Sequence, residues 1–401
     1  MVAPPRGACV RVDSHVMRVT QVNCARAPGL ASLASAADLL EAHETLHAWS
    51  EALLAAGAGH CEVVQRFGRD ESLALAGVEY RLVRDGAGAW ARPWAAQARL
   101  AAAAARTRPD VLHLNGLVFP AAAARLRRAL PRAAALVAQD HAATRPPRGW
   151  ARRWLWRRGL RACDGFLFTA AEQAEPWQRA GLISARQPIY LVPEASRAVA
   201  PVERQRARQL AGLSGGPAVL WVGHLDENKD PLTVLEGFAR ATLRLPGARL
   251  TMVFRGEQLR PRVAARLARE PGLAGRVELR GAVPRERMAE LHSAADLFVL
   301  GSRREGSGYA LIEALACGAV PVVTDIPSFR ALAGPVGELW TAGDAQACAQ
   351  ALLAAAARLG PARREAVRAQ FDRELSWPAV ARRALDAYAR VLGLRRQSSS
   401  R

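Results

Sequence analysis

PAVLWVGHLDENKDPLTVLEGFA, residues 217–239, changes periodicity in its middle. Residues 217–225 are a short apolar run, the pattern of a strand buried on both faces. A polar loop follows. Asp230 then offers a side-chain oxygen to the first free amides of a helix. Pro231 sits at the first helical position, where its missing N–H is no loss. Leu232, Leu235, Phe238 and Ala239 fall on one helical face. Strand, loop and helix in this order form one step of a parallel sheet covered by helices.

The same alternation extends in both directions. Strand-like runs follow at 248–256, 276–283, 296–302 and 319–325, and precede at 17–23, 60–67, 78–83, 110–116, 134–140, 165–170 and 189–193. Segments rich in Ala, Leu and Arg separate most of them. The fold class is therefore α/β, with two Rossmann-like domains facing across a cleft. Residues 17–197 form the N-terminal domain and 217–372 the C-terminal domain. A Pro- and Gly-containing polar stretch, 198–216, is expected as the linker. Residues 1–16 and 395–401 are expected to be disordered, and Met17, just before the first strand, is a candidate start.

Composition narrows the function. The chain has 401 residues, enough for two cores. Its net charge of +20, from 56 basic and 36 acidic side chains, favours anionic partners. Basic residues are not interleaved with aromatics in any repeating way, so nucleic acid is not an expected partner. Six cysteines lie scattered without a CxxC pair, as in a protein with reduced thiols, and no run is long and apolar enough to span a membrane. A cytoplasmic location follows. Of all the basic side chains only Lys229 is a lysine. It lies just past the end of the strand at 217–223, where open parallel sheets bind ligands.

REGSGYALIEALACG, residues 304–318, lies past the strand at 296–302 and carries the chemistry. Gly306 and Gly308 flank Ser307, so the backbone can turn tightly and approach a ligand. A helix is expected from Tyr309 to a C-terminal glycine, Gly318. Its N-terminus suits a phosphate. Glu305 precedes the helix and Glu313 lies one turn inside it. Two carboxylates so placed can accept hydrogen bonds from different parts of one ligand.

These residues, preceded by VGHLDENKDPLTVLEGF, resemble the C-terminal domain of the retaining glycosyltransferases of family four, which have the GT-B fold. The resemblance covers most of 17–394. It implies that Glu305 holds donor-sugar hydroxyls, that Glu313 holds the ribose, and that Gly306, Ser307, Gly308 and Tyr309 border the diphosphate. Lys229 would neutralise the leaving diphosphate, and backbone near Val283 would border the base. His141, in QDHAATRPP, corresponds to a histidine facing the donor sugar. Residues 373–394 resemble the last helix of that family, which crosses back to the N-terminal domain. The implied activity is metal- and cofactor-independent transfer from a nucleotide-diphosphate sugar to a glycan or lipid-linked acceptor, in envelope or extracellular polysaccharide synthesis. Two features depart from the pattern. His224 stands where many relatives carry arginine, with Arg255 as a stand-in, and CARAPGLAS (24–32) replaces a glycine pair. Loss of catalysis in a sugar-nucleotide-binding relative is one alternative. A pyridoxal-phosphate phosphorylase would need a lysine for its cofactor, and the sole lysine is already assigned.

Two other motifs compete for attention. HETLH, with His43 and His47 sharing a helix face and Glu44 as a base, matches a zinc hydrolase pattern; no third ligand follows at the extended-motif spacing, and Glu62 or Glu71 would have to supply it. RPPRGWARRWLWRRGLR (145–161) has seven arginines, three tryptophans and no acid. Projected as a helix it has no clean apolar side, and a packed basic helix is the favoured reading. Peripheral contact with an anionic membrane is the competing one. His113 is expected to be a satisfied core or rim histidine.

Overall fold

The computed structural model describes residues 11–12, 15–25, 35–42, 44–84, 93–141, 143–196 and 200–399. They divide into two compact units. One comprises the described residues up to Ala195 together with those from Trp377 onward, and the other is Ser196–Ser376. Each is an α/β layer structure built on its own sheet.

The sheet of the N-terminal unit has eight strands, in the order Ile189–Leu191, Gly165–Phe168, Ala135–Gln139, Val111–Asn115, Arg18–Asn23, His60–Phe67, Val78–Arg84 and Glu71–Leu75. All neighbours are parallel except the last pair. Every residue of Ala135–Gln139 is buried, because helices cover both faces. That is why the strand reads as an unbroken apolar run rather than an alternation. Glu71–Leu75 was not foreseen. It pairs with Val78–Arg84 through a two-residue turn, Ala76-Gly77, both at positive φ. Such turns match the twist of a hairpin, but the strand is largely exposed and has no β-branched or aromatic residue to announce it.

The helix Trp377–Ser399 packs Val380, Ala384, Tyr388 and Val391 into the core of this unit, beside the helix Glu44–Ala55 and the strand Ala135–Gln139. It runs through most of the tail expected to be disordered. Arg395 fastens that stretch, donating to the Asp164 carboxylate and to the Arg132 carbonyl, each at 3.0 Å. At the other end, Arg11–Val12 pairs antiparallel with His15–Val16, so these residues are ordered too, while residues 1–10 lie outside the described residues.

The C-terminal unit has six parallel strands, in the order Val277–Gly281, Arg249–Phe254, Ala218–Gly223, Leu297–Leu300, Val320–Thr324 and Glu338–Trp340. The chain starts in the middle, winds outward on one side, then returns and winds outward on the other. The direction reverses between Ala218–Gly223 and Leu297–Leu300. At such a switch point the loops leaving the two strands diverge and open a crevice at their carboxyl ends. Asp230 and Pro231 start the helix Pro231–Thr242 as the sequence indicated, with the Asp230 carboxylate accepting from the Thr233 amide. The stretch expected as a linker holds a helix, Arg204–Ala211, capped by Glu203 and packed against the helix Met288–Ala294. Only its two alanines, Ala207 and Ala211, are buried, which hid it in a polar sequence. The short edge strand Glu338–Trp340 was also missed.

His113 is fully buried, and its Nδ1 lies 2.7 Å from the Tyr388 hydroxyl. Burial, with the nearby His141 charge, pushes its pKa down to about 3 against the pull of Gln139, so the ring is neutral. Tyr388→Phe would strip a buried ring nitrogen of this partner. We expect a loss of about 1–3 kcal/mol in urea unfolding of the N-terminal unit.

Candidate active site

Two loops leave the switch point of the C-terminal unit, residues 224–230 and 301–308. Backbone and side-chain bonds stitch them together. The Arg303 amide donates to the Asn228 carbonyl at 2.8 Å, and the Asn228 side chain donates to the Arg304 carbonyl at 3.0 Å. The Arg303 guanidinium donates to the Asp230 carboxylate at 2.7 Å. Gly301 permits this approach: a Cβ there would lie 3.1 Å from the carbonyl oxygens of both Lys229 and Asp230. The Asp226 carboxylate accepts from the Lys229 amide at 2.9 Å and sets the turn. With both loops held, the Lys229 ammonium forms an ion pair with the Glu305 carboxylate. Both side chains are more than four-fifths buried.

Glu305 is fixed from behind as well, since its carbonyl accepts from the Ser328 hydroxyl at 2.8 Å. The backbone then turns through Gly308 at φ +67° into the helix Tyr309–Ala316. A side chain at Gly308 would be strained at that φ, and its Cβ would meet Leu332 at 2.6 Å. One turn on, Glu313 accepts from the Ser196 hydroxyl at 2.7 Å and lies 3.5 Å from the buried His292 ring. Burial pushes the Glu313 pKa up, but His292, Ser196 and Arg285 together outweigh it and hold the group below the usual carboxylate range. It is therefore an ionised acceptor.

These groups surround a cavity of ≈ 380 Å³. Of the residues singled out in the sequence, His224, Lys229, Val283, Glu305, Gly308, Tyr309 and Glu313 line it. Gly306 and Ser307 do not; they are buried in the turn. Arg255 lines it beside His224, and so does Arg285, which the sequence reading missed. Both arginines follow the ends of strands, the position that marked Lys229. In so arginine-rich a chain, that position alone did not stand out. The lining thus has three permanent cations, Lys229, Arg255 and Arg285, against two carboxylates. The first turn of the helix Tyr309–Ala316 adds the positive end of its dipole.

His141 belongs to the N-terminal unit. It follows the strand Ala135–Gln139, and its Nδ1 is ion-paired with Glu194. Glu194 is buried and also accepts from the Gln139 side chain at 3.0 Å. Burial alone would lower the His141 pKa; the charge and hydrogen bond of Glu194, with Asp140, reverse the sign and raise it. Nothing in the sequence linked His141 to Glu194, 53 residues away.

The zinc reading fares less well. His43 lies outside the described residues, and the Nδ1 of His47 is engaged by the Tyr80 hydroxyl. Among the described residues, a different trio comes within metal-binding reach: His60, Glu62 and Glu79. There Arg81 already donates to Glu62 at 2.8 Å. The glycine-poor loop at 24–32 is described only to Ala25.

Residues 216–358 match the family model described as "Glycosyl transferases group 1". Over 183 residues the chain is 32% identical to the GDP-mannose:cellobiosyl-diphosphopolyprenol alpha-mannosyltransferase of Xanthomonas campestris, covering 44% of this chain and 48% of that protein. It is 34% identical over 181 residues to the mannosylfructose-phosphate synthase of Agrobacterium fabrum, covering 41% and 38%. The chain spans about half the length, or less, of these curated relatives. The structure aligns with sucrose-phosphate synthase from Thermosynechococcus elongatus at a TM-score of 0.67 and 19% identity, covering 94% of this chain and 100% of that one. It aligns with Anabaena HepE in complex with UDP and glucose at a TM-score of 0.60 and 14% identity, covering 96% and 98%. The fold is that of the GT-B glycosyltransferases, and residues 216–358 are similar to glycosyl transferases group 1, as the motifs implied.

The His141–Glu194 pair has a definite pH signature. A raised folded pKa means its contribution is complete below the ordinary histidine range, near pH ~6.5, and is lost as pH rises through the raised value. Glu194→Gln should move the His141 titration, followed by imidazole NMR, downward. It should also flatten the pH dependence of thermal stability over that window.

Proposed function

We propose that this chain is a glycosyltransferase that takes a sugar from a nucleotide-diphosphate donor, UDP- or GDP-linked, and transfers it to a glycan or lipid-linked acceptor. Transfer proceeds with retention and without a metal. The observation that carries the reading is the Lys229–Glu305 ion pair at the switch point, inside a cation-rich cavity and beside a helix start.

A nucleoside diphosphate brings two or more negative charges. Lys229, Arg255, Arg285 and the first turn of Tyr309–Ala316 are suited to receive them. Glu305, released from Lys229, accepts from sugar hydroxyls, and the ionised Glu313 accepts from the ribose diol. The bond from the anomeric carbon to the β-phosphate oxygen breaks as the acceptor oxygen bonds to that carbon from the same face. The acceptor proton goes to the departing phosphate. The developing charge on that phosphate is what Lys229 stabilises. The two acids of the cavity favour this over metal assistance, since Glu305 is held by Lys229 and Glu313 by Ser196 and His292. For His141 the reading is a donor to the transferred sugar, and its pairing with Glu194 supports a protonated ring.

The named donor of the Xanthomonas relative is GDP-mannose and its acceptor a diphosphopolyprenol-linked cellobiose, while HepE was crystallised with UDP and glucose. The relatives support a nucleotide-sugar donor and leave both bases in play. A role in envelope or extracellular polysaccharide synthesis, with a lipid-linked acceptor, agrees with the first of them. A cytoplasmic site of action agrees with five buried free cysteines, Cys24, Cys61, Cys163, Cys317 and Cys348. No helix among the described residues is long and apolar enough to cross a membrane.

Glu305→Ala and Lys229→Ala should each lower transfer by about 10²-fold or more, in protein whose circular dichroism shows it still folded. Lys229→Arg should not restore the rate, because a planar fork replaces a compact point charge. Full activity in Glu305→Ala would remove the donor-site assignment. Thermal-shift titration with UDP- and GDP-sugars on the parent protein identifies the base.

A further inference from the structure

The helix Trp150–Leu160 packs, as the sequence suggested, but through one edge only. It is fastened to the N-terminal unit along a narrow edge. Trp156 stacks on the buried Trp177, with ring centroids 5.5 Å apart. Gly159 sits so close to Pro120 that a Cβ would lie 2.2 Å from its carbonyl oxygen, and Leu160 is buried. The rest faces outward. Trp150 is 85% exposed, Trp154 60% and Leu155 45%. No other described helix exposes two tryptophans.

The charge around them is of one sign. All seven arginines of 145–161 are exposed, and none is paired with a carboxylate among the described residues. Arg157 donates to the Gly181 carbonyl and Arg153 to the Pro147 carbonyl, which aims the guanidiniums without neutralising them. Arg158 lies over the Trp154 ring, 5.7 Å from its centroid. Tryptophan gains most at the boundary between headgroups and acyl chains, where its ring is apolar on the face and polar at the N–H. Arginine beside it reaches lipid phosphates while its stem covers apolar surface. An acidic protein would satisfy the arginines, but it gives no account of two tryptophans directed at solvent with so little aliphatic surface around them.

We infer that Trp150, Trp154 and Leu155, ringed by Arg148, Arg152, Arg153 and Arg158, form a docking surface for an anionic lipid bilayer. The helix lies along the interface with its tryptophans seated among the headgroups. Its place in the fold gives this a use. The helix begins at the end of the segment that leaves the strand Ala135–Gln139 through His141, at the carboxyl edge of that sheet, where open α/β sheets bind ligands. Docking there would bring the edge of the acceptor-side unit to the membrane surface that carries a lipid-linked substrate.

The test is co-sedimentation of the full chain with vesicles of phosphatidylcholine alone and of phosphatidylcholine with phosphatidylglycerol. Binding should require the anionic lipid and should blue-shift tryptophan emission. Trp150→Ser with Trp154→Ser keeps every charge and should weaken binding at least tenfold. Arg152→Gln with Arg153→Gln should weaken it clearly more than the charge-matched pair Arg244→Gln with Arg269→Gln, two exposed arginines of the other unit. Three results overturn the inference: no preference for anionic vesicles, full binding by the double tryptophan variant, or equal losses from the two arginine pairs. Vesicle binding needs no turnover, so the inference and the transferase reading fail separately.

Discussion

The ion pair between Lys229 and Glu305 is the constraint on which the C-terminal unit is organised. The two residues are 76 positions apart and come together only because their strands are neighbours at the reversal of strand order. A mostly buried charge without its partner is expensive. The loops that carry these charges must therefore be held in place on both sides. Asn228, Asp230 and Arg303 do this between the loops, Gly301 allows the backbones to approach, and Ser328 holds Glu305 from beneath. What is left at the mouth is a cavity whose cations outnumber its acids.

The N-terminal unit shows how little separates a buried histidine held neutral from one whose charged form is favoured. His113 and His141 both suffer burial that disfavours the imidazolium. His113 meets the Tyr388 hydroxyl and stays neutral. His141 meets the buried carboxylate of Glu194, and the outcome reverses. Gln139 connects the two, donating to Glu194 and helping to offset the burial of His113. Through Tyr388 the network reaches the C-terminal helix. That helix therefore does more than cover apolar surface, since it supplies a hydrogen-bonding group two histidines away from the carboxyl edge.

Which parts were legible follows from where the signal lives. Interior strands announced themselves because parallel sheets bury both faces, and Asp230-Pro231 announced a helix start because few residue pairs suit those positions. Glu305 and Glu313 could be placed relative to one helix from spacing alone. Edge elements gave no such signal: Glu71–Leu75 and Glu338–Trp340 are short or exposed, and Arg204–Ala211 buries only two alanines. Glu194 and Arg285 enter their sites by tertiary proximity, which no local pattern encodes. The stretch at 145–161 packs as expected, but which side packs was not legible. With arginines on every side it shows no apolar face, and a narrow edge formed by Trp156, Gly159 and Leu160 anchors it.

A chain that uses arginine at every other basic position keeps one lysine, and the geometry of the Lys229–Glu305 pair gives a physical reason. An arginine at 229 could grip Glu305 with two parallel hydrogen bonds, a pairing strong enough to hold the carboxylate against an incoming ligand. A single ammonium orients Glu305, yet can leave it when a better anion arrives. A neutral sugar cannot displace the ammonium, because it brings no charge to replace that of the carboxylate. A diphosphate can take the ammonium, and sugar hydroxyls can then donate to Glu305 alongside the Ser302 hydroxyl, which lies 3.5 Å from it. Under the proposed function, a diphosphate joined to a polyhydroxyl ring brings partners for both halves of the pair. On that proposal, separation of the Lys229–Glu305 pair is coupled to binding of the sugar nucleotide.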